Sequence, residues 1–164
     1  MYSKDIDNSF ELNEAMAEYS TTFNKKNSIR QSFSYAEFLK DRMLIVQAIR
    51  SGIPFHLFQL IKNESPFNDD EWADFLNISS KSLQRYKADR NYRFKPIHSE
   101  KIIEIAEVTE LGKRVFEDSD KFFLWLSSPC FALGNLKPID LVRNSYGKEM
   151  VIGELHRIDH GIFA

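Results

Sequence analysis

The chain has a single cysteine, Cys130, which excludes an internal disulfide and suits a reducing compartment. No apolar run approaches the roughly 20 residues that a membrane-spanning helix needs. No signal-peptide pattern opens the sequence. A cytoplasmic protein with no membrane partner is the resulting expectation. Catalytic signatures are missing too: there is no Gly-x-Ser-x-Gly elbow, no phosphate-cradling glycine loop and no dinucleotide fingerprint. No nucleophile can be paired with a base, so the chain does not read as an enzyme and needs no cofactor. His156, Asp159 and His160 fall on neighbouring turns, but zinc takes three or four ligands. No other Cys or His completes that set, and no metal site is expected. Cys130, beside Pro129 and Phe131, reads as a buried thiol rather than a nucleophile.

What the chain does have is phenylalanine, 14 of them in 164 residues. They supply much of the burial that a small helical fold needs. The length suits one domain, or two small ones sharing a core. The net charge of −2 hides an uneven distribution. Residues 79–101 hold seven basic residues (Lys81, Arg85, Lys87, Arg90, Arg93, Lys95 and Lys101) against Asp89 and Glu100. That local charge of +5 leaves −7 for the remainder. Such a patch can bind a polyanion on one face, although a charge cluster alone is more commonly a solvated helix face.

In chain order, Leu12, Met16, Tyr19 and Phe23 mark one face of a helix that docks on the body or on a second copy. Residues 24–28 read as a linker. Ser34 to Arg50 predicts one helix. Ser34 and Glu37 form a capping box, and Phe38, Arg42, Ile45 and Ile49 share a face. Gly52 stops it, and Pro54 starts another helix bearing Phe55, Phe58 and Ile61. Asn68 and Glu71 make a second capping box, with Trp72, Ala73 and Leu76 facing inward. Asn77 falls at the turn, where asparagine tolerates the left-handed conformation. Ile78 plugs the corner. Ser79 or Ser80 caps the next helix, whose inner face is Leu83 and Tyr86. That spacing is the helix-turn-helix pattern. Its second helix enters the major groove with its early residues against the bases. Here those are Lys81, Ser82, Gln84 and Arg85; arginine suits guanine and glutamine suits adenine. Lys87, Arg90 and Arg93 would neutralise phosphates. Such units bind paired half-sites as dimers, so a homodimer is expected. Ser99 then caps a long helix with Ile102, Ile105 or Ala106, Thr109 and Val115 on its buried side. Gly112 in it is a weak point or a close-packing spot.

Residues 122–164 predict three short helices. Pro129 ends the first, which runs through Phe122 to Leu126. Pro138 opens the second. Val151, Leu155 and Ile158 give the third an apolar stripe, and Gly161 stops it. Ile162, Phe163 and Ala164 follow with a free carboxylate. An apolar end of this kind is either tucked into its own core or offered to a partner.

This block resembles the toxin-binding domain of Xre-type antitoxins, the Xre/MbcA/ParS family. The residues that carry the likeness are Trp125-Leu126, Pro129, Leu133-Gly134, Pro138-Ile139-Asp140-Leu141, Gly147 and the run Arg157 to Ala164. Asn135 stands where the family pattern has a second glycine, Asn144 where it has threonine, and Tyr86 where it often has an arginine. The resemblance implies an antitoxin paired with a RES-domain toxin, an enzyme that consumes NAD. It also implies that the C-terminal region packs at the toxin's NAD-binding cleft. Arg157, His160, Gly161, Ile162, Phe163 and Ala164 are then the toxin-binding residues, with Phe163 the leading hot spot. The expected architecture is all-α, with about nine helices. Residues 1–33 form an N-terminal extension, helical or partly disordered. Residues 34–98 form an Xre-like helix-turn-helix domain, and residues 99–164 a small helical toxin-binding domain. The function expected is neutralisation of the toxin by blocking its active site, with repression of the operon at an operator. The alternative is a stand-alone helix-turn-helix regulator whose C-terminal block mediates dimerisation.

Overall fold

The structure, a computed structural model, describes residues 2–23 and 34–162. Among the described residues there are ten α-helices, one 3-10 turn and no strand beyond two isolated bridges. The chain divides into two compact units, 1–103 and 104–164, with the boundary inside a long helix.

The first unit holds α1 (Tyr2–Thr21), α2 (Tyr35–Phe38), α3 (Arg42–Ser51), α4 (Phe55–Asn63), α5 (Asp69–Phe75), α6 (Ser80–Ala88) and the start of α7 (Pro96–Phe116). Its centre is aromatic. Phe58 meets Trp72 edge-on at 5.2 Å and Phe94 at 4.9 Å, and Trp72 is fully buried. Edge-to-face contact suits these rings because a positive ring edge faces a negative ring face. The Trp72 indole N–H, which would be costly to bury unpaired, donates to Ser65 Oγ at 2.9 Å. α1 docks on its own body: Leu12, Met16 and Tyr19 are buried, and the Tyr19 hydroxyl donates to the Gly52 carbonyl at 3.0 Å. The expected linker at 24–28 lies outside the described residues.

Three sequence expectations are corrected here. The stretch from Ser34 to Arg50 is two helices, not one. The Ser34–Glu37 box forms, but α2 ends after one turn, because Asp41 turns its carboxylate to the N–H groups of Met43 and Leu44 and caps α3. That restart rotates the inner face: Leu44 and Ala48 are buried, whereas Arg42 is exposed and Ile45 and Ile49 are half-buried. Ser99 does not cap α7, which begins at Pro96, a residue suited to a first turn. Ser99 is buried; it accepts from the Ile53 N–H at 3.0 Å and donates to the Phe94 carbonyl at 3.2 Å. Cys130 is half-buried, not buried.

The second unit holds the end of α7, α8 (Ser119–Ser127), the 3-10 turn Phe131–Leu133, α9 (Pro138–Leu141) and α10 (Ser145–Asp159). Gly112 is a close-packing spot: a Cβ there would fall 2.0 Å from the Phe122 ring. Pro138 stands in the first turn of α9, as its missing N–H favours. Val151 and Leu155 of α10 are fully buried, and Ile158 is half-buried. Lys148 on α10 is ion-paired with Glu107 on α7.

Candidate functional site

The helix-turn-helix is built by local chemistry. The Asn68 side chain accepts from the N–H groups of Asp70 and Glu71, and the Asn68 N–H donates to the Glu71 carboxylate, so α5 starts sharply. After α5, Asn77 has φ +52°, the left-handed turn asparagine tolerates. The Ile78 N–H then donates to the Ala73 carbonyl at 2.9 Å. Ser79 caps α6 through the Ser82 N–H, and Ser80 Oγ donates to Asp70 Oδ1 at 2.6 Å, tying α6 back to α5. His98, from α7, adds a bond to the Leu76 backbone at the same turn. Burial holds its imidazole below the ordinary range, with that bond working against the shift.

α6 buries Leu83 and turns its opposite side outward. Lys81, Gln84, Arg85 and Lys87 are exposed, as is Arg90 just beyond the helix. Lys81, Gln84 and Arg85, three and four residues apart, share one face. Ser82 is half-buried, and its hydroxyl lies 3.0 Å from Ser79 Oγ, so it serves the cap. Arg93 stands apart from the other cations: its guanidinium donates to the Gly52 carbonyl at 3.1 Å. Tyr86, in the position where an arginine is frequent, stacks on Tyr92 with centroids 3.9 Å apart and meets Phe94 edge-on at 6.0 Å. The Arg85 guanidinium lies 5.6 Å from the Tyr86 ring centroid, within cation–π range. Burial and the Tyr86 hydroxyl raise the Tyr92 pKa well above its usual value. Sequence patterning missed this stack because Tyr92 lies outside any helix; the aromatic run Tyr92 to Phe94 was the available signal.

The second site is the end of α10. The Ile162 N–H donates to the Arg157 carbonyl at 2.8 Å and the Gly161 N–H to the Ile158 carbonyl at 2.9 Å. With Gly161 at φ +69°, this is a Schellman stop, which satisfies the last carbonyls and turns the chain off the helix axis. Ile162 is 53% exposed beyond it. Arg157, His160 and Gly161 are also exposed. Phe163 and Ala164 lie outside the described residues.

The two departures from pattern in this unit have physical reasons. Asn135 has φ +59°, where glycine is the usual occupant and asparagine the usual substitute. Asn144 caps α10 through the Gly147 N–H at 2.9 Å, a task threonine also performs.

Residues 44–107 match the family described as the Antitoxin Xre-like helix-turn-helix domain, and residues 111–161 match the Antitoxin Xre/MbcA/ParS C-terminal toxin-binding domain. The chain belongs to the Xre antitoxin family. Relatives called Antitoxin Xre include one from Yersinia enterocolitica, 27% identical over 74% of this chain and 82% of its own length. Another, from Photorhabdus laumondii, is 25% identical over 70% of this chain and 77% of its own length. Both matched domains are antitoxin domains, not those of an enzyme. No helix among the described residues is long and apolar enough to cross a membrane.

Proposed function

We propose that this Xre family member neutralises a RES-domain toxin that degrades NAD, by seating its C-terminal end in the toxin's NAD-binding cleft. The observation that carries the reading is the stop at Gly161. It turns the chain off the α10 axis at Ile162 and leaves that side chain exposed, directly beyond the matched toxin-binding domain. Ile162 and Phe163 would be apolar anchors. Arg157, on the last turn of α10, and His160, its C-cap residue, are both exposed and would supply charge at a cleft built for a dinucleotide. The likeness of the run Arg157 to Ala164 to the family's ending supports the RES partner.

The second role is repression of the operon by a homodimer, each copy placing Lys81, Gln84 and Arg85 in the major groove of one half-site. Lys87 and Arg90 would contact phosphates. The helix-turn-helix match supports DNA binding, and the toxin-binding match favours this dual role over a stand-alone regulator.

Removing Ile162 to Ala164 tests the first role. Cells that make the shortened chain together with the RES toxin of the adjoining reading frame should lose NAD, while the chain's melting temperature holds. Full protection by the shortened chain would sink the mechanism.

A further inference from the structure

The second unit carries a groove of about 390 Å³, whose lining includes Phe116, Trp125, Cys130, Phe131, Glu154 and Ile158. Its walls are aromatic. Phe116 and Trp125 lie 5.6 Å apart between centroids, and Phe131 is 80% exposed. One lining group does not fit an apolar slot. The Glu154 side chain is only 9% exposed, and its ion pair with Arg157 Nε is loose, at 3.8 Å, beyond hydrogen-bond reach. Lys148, on the same helix, is engaged by Glu107.

We propose that this groove receives a cationic side chain, arginine or lysine, from the toxin. The inference rests on the toxin-binding reading above and adds a second contact to it. All six lining residues named fall within the matched toxin-binding domain, 111–161. The charge of the site selects the occupant. An apolar group closing over the groove would strip the remaining water from Glu154 and leave only the loose Arg157 pair to offset its charge, which is costly. An anionic group would be repelled. A cation pairs with the carboxylate and also lies against ring faces, whose negative quadrupoles attract it. Arginine fits best, since its planar fork can bond the carboxylate while stacking on a ring.

The test immobilises the RES toxin of the adjoining reading frame and measures the affinity of full-length chains. Glu154→Gln keeps the side-chain shape and removes the charge. Phe131→Ala removes an exposed ring, so neither change threatens the fold; circular dichroism checks this. Glu149→Gln, an exposed carboxylate on the same helix, controls for net charge. The expected result is a loss of about tenfold or more for the first two variants and none for the third. Binding by Glu154→Gln as tight as that of the unaltered chain overturns the cationic occupant, whatever Phe131→Ala does. If the unaltered chain binds and both groove variants match it, the groove falls while the antitoxin reading stands. If the unaltered chain does not bind the toxin, the RES-partner reading falls and the groove with it.

Discussion

Two glycines in α10 show how one missing methyl group can matter or not. A Cβ on Gly147 would fall 2.1 Å from the Leu141 carbonyl oxygen, a backbone atom that cannot swing aside. Gly153 faces open space at ordinary helical dihedrals. Gly147→Ala should therefore destabilise by about 1–3 kcal/mol through overpacking. Gly153→Ala should stabilise by up to about 1 kcal/mol, because alanine orders more cheaply in a helix. Urea denaturation reads both, and equal midpoints for the two variants would contradict the packing described. Gly147 was visible in the sequence as a family position, but its reason was not; that needed the end of α9 laid against α10. Asn77 was readable in full, since its turn depends on its own backbone and near neighbours.

Element boundaries divide the same way. The boxes at Ser34–Glu37 and Asn68–Glu71 were legible because a cap and its partner lie three residues apart. The break at Asp41 was masked by an apolar period that continues past it. Ser99 looked like a cap because serine before a charged run usually is one; Pro96, three residues earlier, was the better signal for the start of α7. His98 shows what such a helix start supports. Its imidazole is half-buried against the helix-turn-helix corner, and burial holds its folded pKa below the usual 6.5. The unfolded chain then takes up the proton first as the pH drops. The contribution of His98 is full above about pH 6.5 and is lost as the pH falls toward the lower folded value. Melting followed between about pH 7.5 and 5 should show a decline that is shallower in His98→Gln. Parallel profiles would remove His98 from the account.

At the scale of the whole molecule, a basic segment, 79–101, stands against an acidic remainder, and the proposed function assigns DNA to the first and the toxin to the C-terminal part of the second. Changing Gln84 and Arg85 together to alanine should abolish operator binding in a mobility-shift assay and leave toxin capture intact. Loss of both activities would mean that the change unfolds the chain. Operator binding by the unaltered chain should fall steeply with salt, as phosphate contacts require. The two-part plan was legible because each part carries a local motif: a helix-turn-helix spacing in one, a glycine- and proline-punctuated ending in the other. The groove was not, because Phe116, Phe131 and Glu154 line it only after α7, the 3-10 turn and α10 have packed. Cys130, the sole thiol of the chain, is half-buried on its wall. The molecule thus comes with a built-in attachment point: one maleimide dye per chain, with no mutation, would sit at the groove's edge and change colour or brightness when something enters.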